Sequence, residues 1–262
     1  EFIETSPRRG YAMGLMLLGS ITISFGGLVV RNIETADNWQ INFYRSIAFG
    51  TAILIVLLFR YGKTGLQQFK GIGLQGVWAA MLLACASISF LQAITNTTVA
   101  ATTFTLSSIP FLTAIMAWLF LGERIGKSTV FTMLVAAIGI SLMFVQGLGS
   151  GTLFGNFMAF LCAIGFSSYA IIIRRNRRTE MLPTLILSNL IIVFVALIFR
   201  WDNLLISWSD LLLCFVLGGL LSATVNTLFI IASKHLFAAE LTLFMLLEFT
   251  LGPIWVWIFV NE

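Results

Sequence analysis

The sequence predicts an all-α polytopic membrane protein, and three observations lead to that fold class. First, 59% of its 262 residues are hydrophobic and only 10% are charged, whereas a soluble domain carries roughly 25% charged residues. Second, the mean hydropathy is +0.99, so a globule in water would have too little polar surface to cover it. Third, the apolar runs extend over about 20 residues, which is the length of a membrane helix, without the polar alternation of barrel strands.

Nine apolar runs are long enough to be membrane helices, and the connections between them carry Gly, Pro, Asn or charge, as turn segments do. The predicted spans are Tyr11–Val30, Trp39–Phe59, Gly76–Ile94, Val99–Leu121, Ser128–Val145, Asn156–Ile173, Pro183–Phe199, Asp210–Ala232 and Ala238–Val260. The segment 146–156, QGLGSGTLFGN, lies near the middle of the chain and is, by its composition, the most flexible connection.

The cations sort strongly between the two sides of this arrangement. With the amino terminus in the cytoplasm, the inner segments hold twelve Lys and Arg residues and the outer segments hold two, Arg31 and Arg200, while Arg45 falls within the second span. Because cytoplasmic loops carry an excess of Lys and Arg, we expect a multi-pass protein of the cell inner (plasma) membrane with a cytoplasmic amino terminus.

An internal repeat divides the chain. Residues 91–123 align without a gap on residues 230–262, at an offset of 139, with eight identities that include Trp118 with Trp257 and Glu123 with Glu262. We therefore predict two five-helix repeats: residues 11–145 hold five spans, and residues 156–262 hold four, with the fifth missing. The intact protein is then expected to have ten spans. Because five is odd, the repeats are predicted to be inverted in the membrane, an arrangement typical of secondary transporters.

The residues of this repeat resemble a known family. The run PFLTAIMAWLFLGERIGKSTVFTMLVAAIGISLMF is similar to the end of an EamA repeat, FGGLVVR resembles the first helix of that repeat, and NFYRSIAFG resembles its second helix, which often carries an arginine where Arg45 stands. One departure is that Phe249 stands in the second repeat where the first has Pro110, with Pro253 four residues later.

The resemblance implies a carrier of the drug/metabolite transporter superfamily, with helices one to four of each repeat around a central cavity. It points to a secondary transporter that exports or exchanges small metabolites, with amino acids as the leading substrate and drugs, purines or nucleotide sugars as alternatives. A channel is the rival from another class, but no ring of like charges or carbonyl filter is visible in the sequence.

Glu248 is the first candidate for the substrate site, because it falls near the middle of the last span and an ionisable group inside the membrane is costly. It would bind a substrate ammonium or a coupling proton; the alternative is a protonated residue of the helix packing. Arg45 is the second candidate and would hold a substrate carboxylate. Alternatively, it snorkels outward or pairs with Glu34 or Asp37.

Six further side chains are weaker candidates for lining the cavity, because mid-span amides and hydroxyls also serve simply to join helices. They are Tyr44, Gln92, Ser107, Asn189, Asn226 and Trp255.

The sequence offers no catalytic, metal or cofactor motif. GKST at 126–129 lacks the spacing of a phosphate loop, and the three cysteines and the one histidine form no cluster. We therefore expect no enzyme activity, no cofactor and no nucleic-acid partner. The expected partners are a small-molecule substrate and membrane lipid, while the choice between monomer and dimer stays open.

Overall fold

The computed structural model describes residues 7–97, 99–123, 126–144 and 152–260, and this part of the chain is helical almost throughout, with no strand. In chain order the helices are α1a (Pro7–Ser24), α1b (Gly26–Arg31), α2 (Asn38–Tyr61), α3 (Gly73–Asn96), α4a (Val99–Leu106), α4b (Ile109–Leu121), α5 (Lys127–Phe144), α6 (Leu153–Arg175), α7 (Leu182–Arg200), α8a (Trp208–Phe215), α8b (Ala223–Ala232), α9a (Ala238–Phe244) and α9b (Leu246–Val260). A π-helical turn, Val216–Ser222, joins α8a to α8b, and the short segments Gly62–Gln67 and Gln68–Gly71 connect α2 to α3.

The all-α membrane fold predicted from the sequence is confirmed. Within the described residues, seven helical segments are long and apolar enough to cross a membrane; α5 and the pair α9a–α9b occupy the two remaining predicted spans. Large apolar side chains lie on the outside of the bundle, with Phe59 89% exposed and Trp208 79% exposed. Such a surface is stable only in contact with lipid. Glu262 and residues 145–151, which entered the sequence-based predictions, lie outside the described residues.

The bundle has two ends, which we name after the start of α1a. The proximal end holds residues 7–9, 60–73, 121–123, 174–182 and 232–238, and the distal end holds residues 31–38, 95–97, 152–156 and 200–210. At the distal end, Asp37 starts α2 as a capping box: its carboxylate accepts the N–H groups of Trp39 and Gln40, while the Gln40 side chain accepts the N–H of Asp37. This satisfies helix donors that would otherwise lack partners.

Several membrane helices are interrupted inside the bundle. The first breaks at Phe25, the fourth at Ser107 and Ser108, the ninth at Met245, and the eighth contains the π-helical turn. At the offset of 139, Met245 is the counterpart of Leu106, so the interruptions of the fourth and ninth helices fall within two residues of equivalent positions. Broken helices at membrane depth occur where the chain lines a cavity or is covered by protein.

Helix packing across the middle of the chain is extensive. The main pairs are α3 with α6, α2 with α7, α1a with α8b, and α4b with α6 and α9a. The largest buried cluster includes Ile53, Leu57, Tyr169, Leu182 and Phe229, which belong to four different helices. These contacts join the segments on either side of residues 145–151 into one bundle. The division into repeats 11–145 and 156–262 stays a prediction.

Candidate functional site

Glu248 lies in the first turn of α9b, directly after the interruption at Met245. Its side chain is only partly accessible, and it forms no ion pair with any residue that the structure describes. The neighbouring Phe249 packs against a buried cluster that includes Leu106, Ile109 and Cys162. A carboxylate is favoured at this position because the start of a helix carries a partial positive charge, but no cation of the described residues pairs with it.

Helix α6 brings Glu248 and α3 towards a common region. Ala86 on α3 and Cys162 on α6 belong to one buried cluster, and Phe249, the neighbour of Glu248 on α9b, packs against it. Ala86 directly precedes Ser87, and the Ser87 hydroxyl accepts a hydrogen bond from Arg45. The helices that carry Glu248 and Arg45 therefore converge on the same stretch of α3.

Arg45 on α2 is held by two polar side chains and by no carboxylate. Its Nη2 donates to Oδ1 of Asn42 at 3.3 Å and to Oγ of Ser87, and no ion pair links it to a described residue. The pairing with Asp37 considered from the sequence is not formed, because Asp37 binds Arg200 instead. The charge of Arg45 is thus placed inside the bundle without a counter-ion from the part of the chain that the structure describes.

The π-helical turn of the eighth helix packs directly on the backbone of Arg45. A Cβ atom added to Gly218 would lie 2.0 Å from the carbonyl oxygen of Arg45, a distance at which the two helices could not keep their positions. Glycine is therefore required at this close approach. π-helical turns inside longer helices are frequently found at functional sites.

Trp255 lies at the contact between α1 and α9. Its indole Nε1 donates to Oγ of Ser24 at 2.8 Å, and its ring stacks on Phe25 with centroids 4.8 Å apart and an interplanar angle of 14°. One turn of helix away, the Ser20 hydroxyl donates to the carbonyl of Phe244 at 2.7 Å, at the interruption of the ninth helix. The hydroxyls of Ser20 and Ser24 therefore pair with polar groups of the ninth helix, one of which is the carbonyl at its interruption.

The other predicted site residues form local hydrogen bonds in separate parts of the bundle. The Tyr44 hydroxyl donates to the carbonyl of Leu204 at 2.7 Å, at the distal end. Gln92 accepts from the Asn96 amide near the distal end of α3. Neither residue is brought next to Glu248 by a contact among the described residues, so their assignment to the cavity stays a prediction.

Three mid-span candidates bond to their own helices. Asn189 Nδ2 donates to the carbonyl of Leu185 at 2.7 Å, Asn226 Nδ2 to that of Ser222 at 2.9 Å, and Ser107 Oγ to that of Phe104 at 2.6 Å. Asn189 also faces α2, since a Cβ added to Gly50 would lie 3.5 Å from it. Ser107 marks the interruption of the fourth helix.

Sequence reasoning missed Asn42, Ser87 and Gly218 as members of this site. Asn42 could have been found from its spacing, because it lies three residues before Arg45 and so shares a face of α2 with it. Ser87 and Gly218 carry no such signal, since only the packing of α3 and of the eighth helix against α2 brings them to Arg45.

The proximal end is closed by a network centred on Arg174, which is only 2% exposed. Arg174 donates to Oε1 of Glu123 at 2.7 Å and to the carbonyl of Ser233 at 2.7 Å, while Oε2 of Glu123 accepts the N–H of Ala238 at 3.2 Å. The ends of α4b, α6 and α8b are thereby tied to the start of α9a.

A family model shows what kind of protein has this architecture. The model of the EamA-like transporter family matches residues 10–145, which is more than half of the chain. The chain belongs to the EamA-like transporter family. This EamA-like protein is therefore a membrane transporter of the drug/metabolite superfamily, as the sequence resemblance predicted, and the family consists of transporters rather than enzymes.

Comparisons with other proteins define its fold. No curated protein sequence matches this EamA-like chain, whereas 26 chains of solved structures do match. One of them, titled "Crystal structure of protein", superposes with a TM-score of 0.76 over 96% of this chain and 90% of that chain, at 15% sequence identity. At that identity the match demonstrates a shared fold.

Proposed function

We propose that this EamA-like protein is a secondary transporter that exports or exchanges amino acids across the inner membrane by alternating access. The observation that carries the proposal is the placement of Glu248 and Arg45 inside the bundle. One is an acid and the other a base, and neither has an ionic partner among the described residues. Leaving a buried charge unpaired costs several kcal/mol, and a zwitterionic substrate would offset that cost at both residues.

The packing supports the two predicted repeats, which alternating access requires. Exchanging equivalent helices of the two predicted repeats replaces α3 by α8b and α6 by α1a. The contact of α3 with α6 then becomes the contact of α8b with α1a, and the structure contains both contacts. The contacts of α2 with α7 and of α4b with α9a map onto themselves. Such a pattern is expected of two halves related by a two-fold axis in the membrane plane.

Local contacts follow the same exchange. Phe25 and Ser168 are equivalent at an offset of 143, and Met116 and Trp255 are equivalent at an offset of 139. Phe25 stacks on Trp255, and the Ser168 hydroxyl lies 3.8 Å from the sulfur of Met116. Equivalent contacts are therefore present in both predicted repeats, as alternating access between two equivalent halves requires. The match of the family model to residues 10–145 also agrees with the first repeat.

The distribution of charge supports the proposed location and orientation. The proximal end carries the excess of Lys and Arg noted in the sequence, and the positive-inside rule favours a cytoplasmic location for such an end. The network of Arg174 and Glu123 then closes the cytoplasmic side. Opening that side for the uptake of a cytoplasmic substrate requires these contacts to separate.

Counterflow in proteoliposomes tests the proposal. Vesicles loaded with one unlabelled L-amino acid at a time are expected to accumulate the same labelled amino acid, with saturation, for at least one member of a panel of twenty. If only purines, nucleotide sugars or drugs show counterflow, the protein is still a carrier, but the assignment of amino acids as its substrates is overturned. Single-channel currents, or flux that rises linearly without counterflow, would overturn the carrier itself.

A further inference from the structure

Three polar side chains lie close together on α2, in the distal half of the helix. Arg45 and Ser46 follow Asn42 by three and four residues, so each shares a face of the helix with Asn42. Asn42 is fully buried and Ser46 is 1% exposed. A polar group that is buried at such a position without a hydrogen-bond partner costs folding free energy.

The three side chains have hydrogen-bonding capacity that no described residue uses. Nδ2 of Asn42, Nε of Arg45 and Oγ of Ser46 are all buried without a partner. Two of these groups are N–H donors, and the third is a hydroxyl that can also donate. An unsatisfied set made of donors is complementary to a ligand group that only accepts, which is the property of a carboxylate.

The guanidinium of Arg45 is held in place by its neighbours. Nη2 of Arg45 is oriented by Oδ1 of Asn42 and Oγ of Ser87, and Gly218 packs against the Arg45 backbone. No carboxylate of the described residues forms an ion pair with this guanidinium. The guanidinium is thus preorganised for an anion that the described residues do not supply.

We propose that Arg45 and Asn42, with Ser46 beside them, form a subsite that binds the carboxylate of the transported substrate. The proposal rests on the transport function proposed above and makes it specific: the substrate must carry a free carboxylate. Amides and decarboxylated amines derived from a transported amino acid then bind more weakly, because neither compound neutralises the charge of this subsite and the amine also leaves its donors without an acceptor.

The direct test compares an amino acid with its own carboxamide. Purified wild-type protein is titrated with the L-amino acid that gives the strongest counterflow and with the corresponding amide, and the shift in unfolding temperature is followed by tryptophan fluorescence. We expect the amino acid to bind about tenfold to hundredfold more tightly than the amide, as is typical of charge-assisted hydrogen bonds. Equal binding of the two compounds would overturn the subsite while leaving transport in place.

Two variants test the assignment to these residues. Asn42→Asp places a permanent carboxylate where Oδ1 now lies 3.3 Å from Arg45, so the protein should stay folded and lose its preference for the amino acid over the amide. Asn42→Leu removes the unpaired amide at similar volume and should reduce the same preference. Retention of the full wild-type preference in both variants would overturn the proposal.

Matched controls separate this subsite from general effects. Arg60→Gln removes a cation from the proximal end of the same helix, and Thr184→Val removes another buried hydroxyl without a partner, on α7; both should keep the wild-type preference. Sodium acetate should stabilise the wild type but not Asn42→Asp. If this difference is found while no compound shows counterflow, the carboxylate subsite is supported and the proposed transport function is not. Equal stabilisation of the wild type by chloride and acetate would instead indicate an inorganic-anion site and overturn the substrate subsite.

Discussion

Arg174 donates through Nε to Oε1 of Glu123 at 2.7 Å. This hydrogen bond links the proximal end of α6 to the residues that directly follow α4b. Arg174 has only 1% of its side chain exposed, and its guanidinium also lies over the ring of Phe237. The remaining carboxylate oxygen of Glu123 binds the N–H that starts α9a. A contact that links segments of both predicted repeats at one end of the bundle has the position expected of a gate.

Loss of the Glu123 carboxylate is expected to open the proximal end more often. Removing one partner of a buried pair costs about 3–5 kcal/mol, and the variant Glu123→Gln should lose that amount from the closed state. In a protein that retains Cys162 as its single cysteine, labelling by a membrane-impermeant maleimide from the proximal side should rise at least tenfold. Glu34→Gln, which changes an exposed carboxylate at the distal end, is the control, and unchanged labelling in Glu123→Gln would contradict a gating role.

Neutralising Glu248 is expected to impair transport without unfolding the protein. Glu248→Gln keeps the size of the side chain but removes a charge that has no ionic partner among the described residues. The unfolding temperature should be maintained or rise, because desolvation of an unpaired charge is relieved. Counterflow should fall at least tenfold. Uptake kinetics equal to those of the wild type would remove Glu248 from the substrate site.

A methyl group added at Gly218 is expected to destabilise the protein, whereas a methyl group added at Gly219 is expected to be tolerated. The added Cβ at Gly218 would meet the carbonyl oxygen of Arg45 at 2.0 Å, whereas at Gly219 the nearest atom, the carbonyl oxygen of Ala48, is 3.5 Å away. Overpacking costs about 1–3 kcal/mol, and backbone atoms leave little room for relief. Thermal unfolding of Gly218→Ala and Gly219→Ala measures the difference; equal unfolding temperatures would show that the close approach is not required.

The hydrogen bond between Trp255 and Ser24 is expected to stabilise the contact of α1 with α9. Trp255→Phe keeps an aromatic ring for Phe25 but removes the N–H donor, and Ser24→Ala removes the acceptor. Hydrogen bonds between membrane helices contribute about 0.6 kcal/mol on average, so the double variant should be less destabilised than the sum of the single ones by about that amount. Strict additivity in this cycle would mean that the bond contributes nothing.

Sequence reasoning reached the helices and the family, but only part of the candidate site. The interruption at Ser107 could be anticipated from Pro110, which has no N–H to donate to the carbonyl of Leu106 four residues earlier, and the interruption at Phe25 precedes two glycines. The interruption at Met245 has no such residue beside it; the carbonyl of the preceding Phe244 accepts a hydrogen bond from Ser20 of another helix. Partners of that kind are remote in the sequence and cannot be found from local patterns.

The same limit applies to Arg45. From the sequence it had two equally plausible roles, substrate binding or pairing with Glu34 or Asp37 at the distal end. In the folded protein Asp37 forms an ion pair with Arg200, and Ser87 and Asn42 accept hydrogen bonds from the guanidinium of Arg45. The absence of a described counter-ion, on which the carboxylate subsite depends, is a property of the assembled helices.

The sequence by itself determined that the chain is a bundle of membrane helices, where each helix lies along the chain, and which family it resembles, because hydrophobic length and charge bias act locally and residue by residue. Only the tertiary structure decided which polar groups find partners inside the bundle: Glu123 with Arg174, Ser24 with Trp255, and Arg45 with Asn42 and Ser87. The reason is physical. Hydrophobic insertion rewards any residue of the right polarity, whereas hydrogen bonds and ion pairs depend on two groups that meet within about 3 Å, and their meeting is set by how distant helices pack.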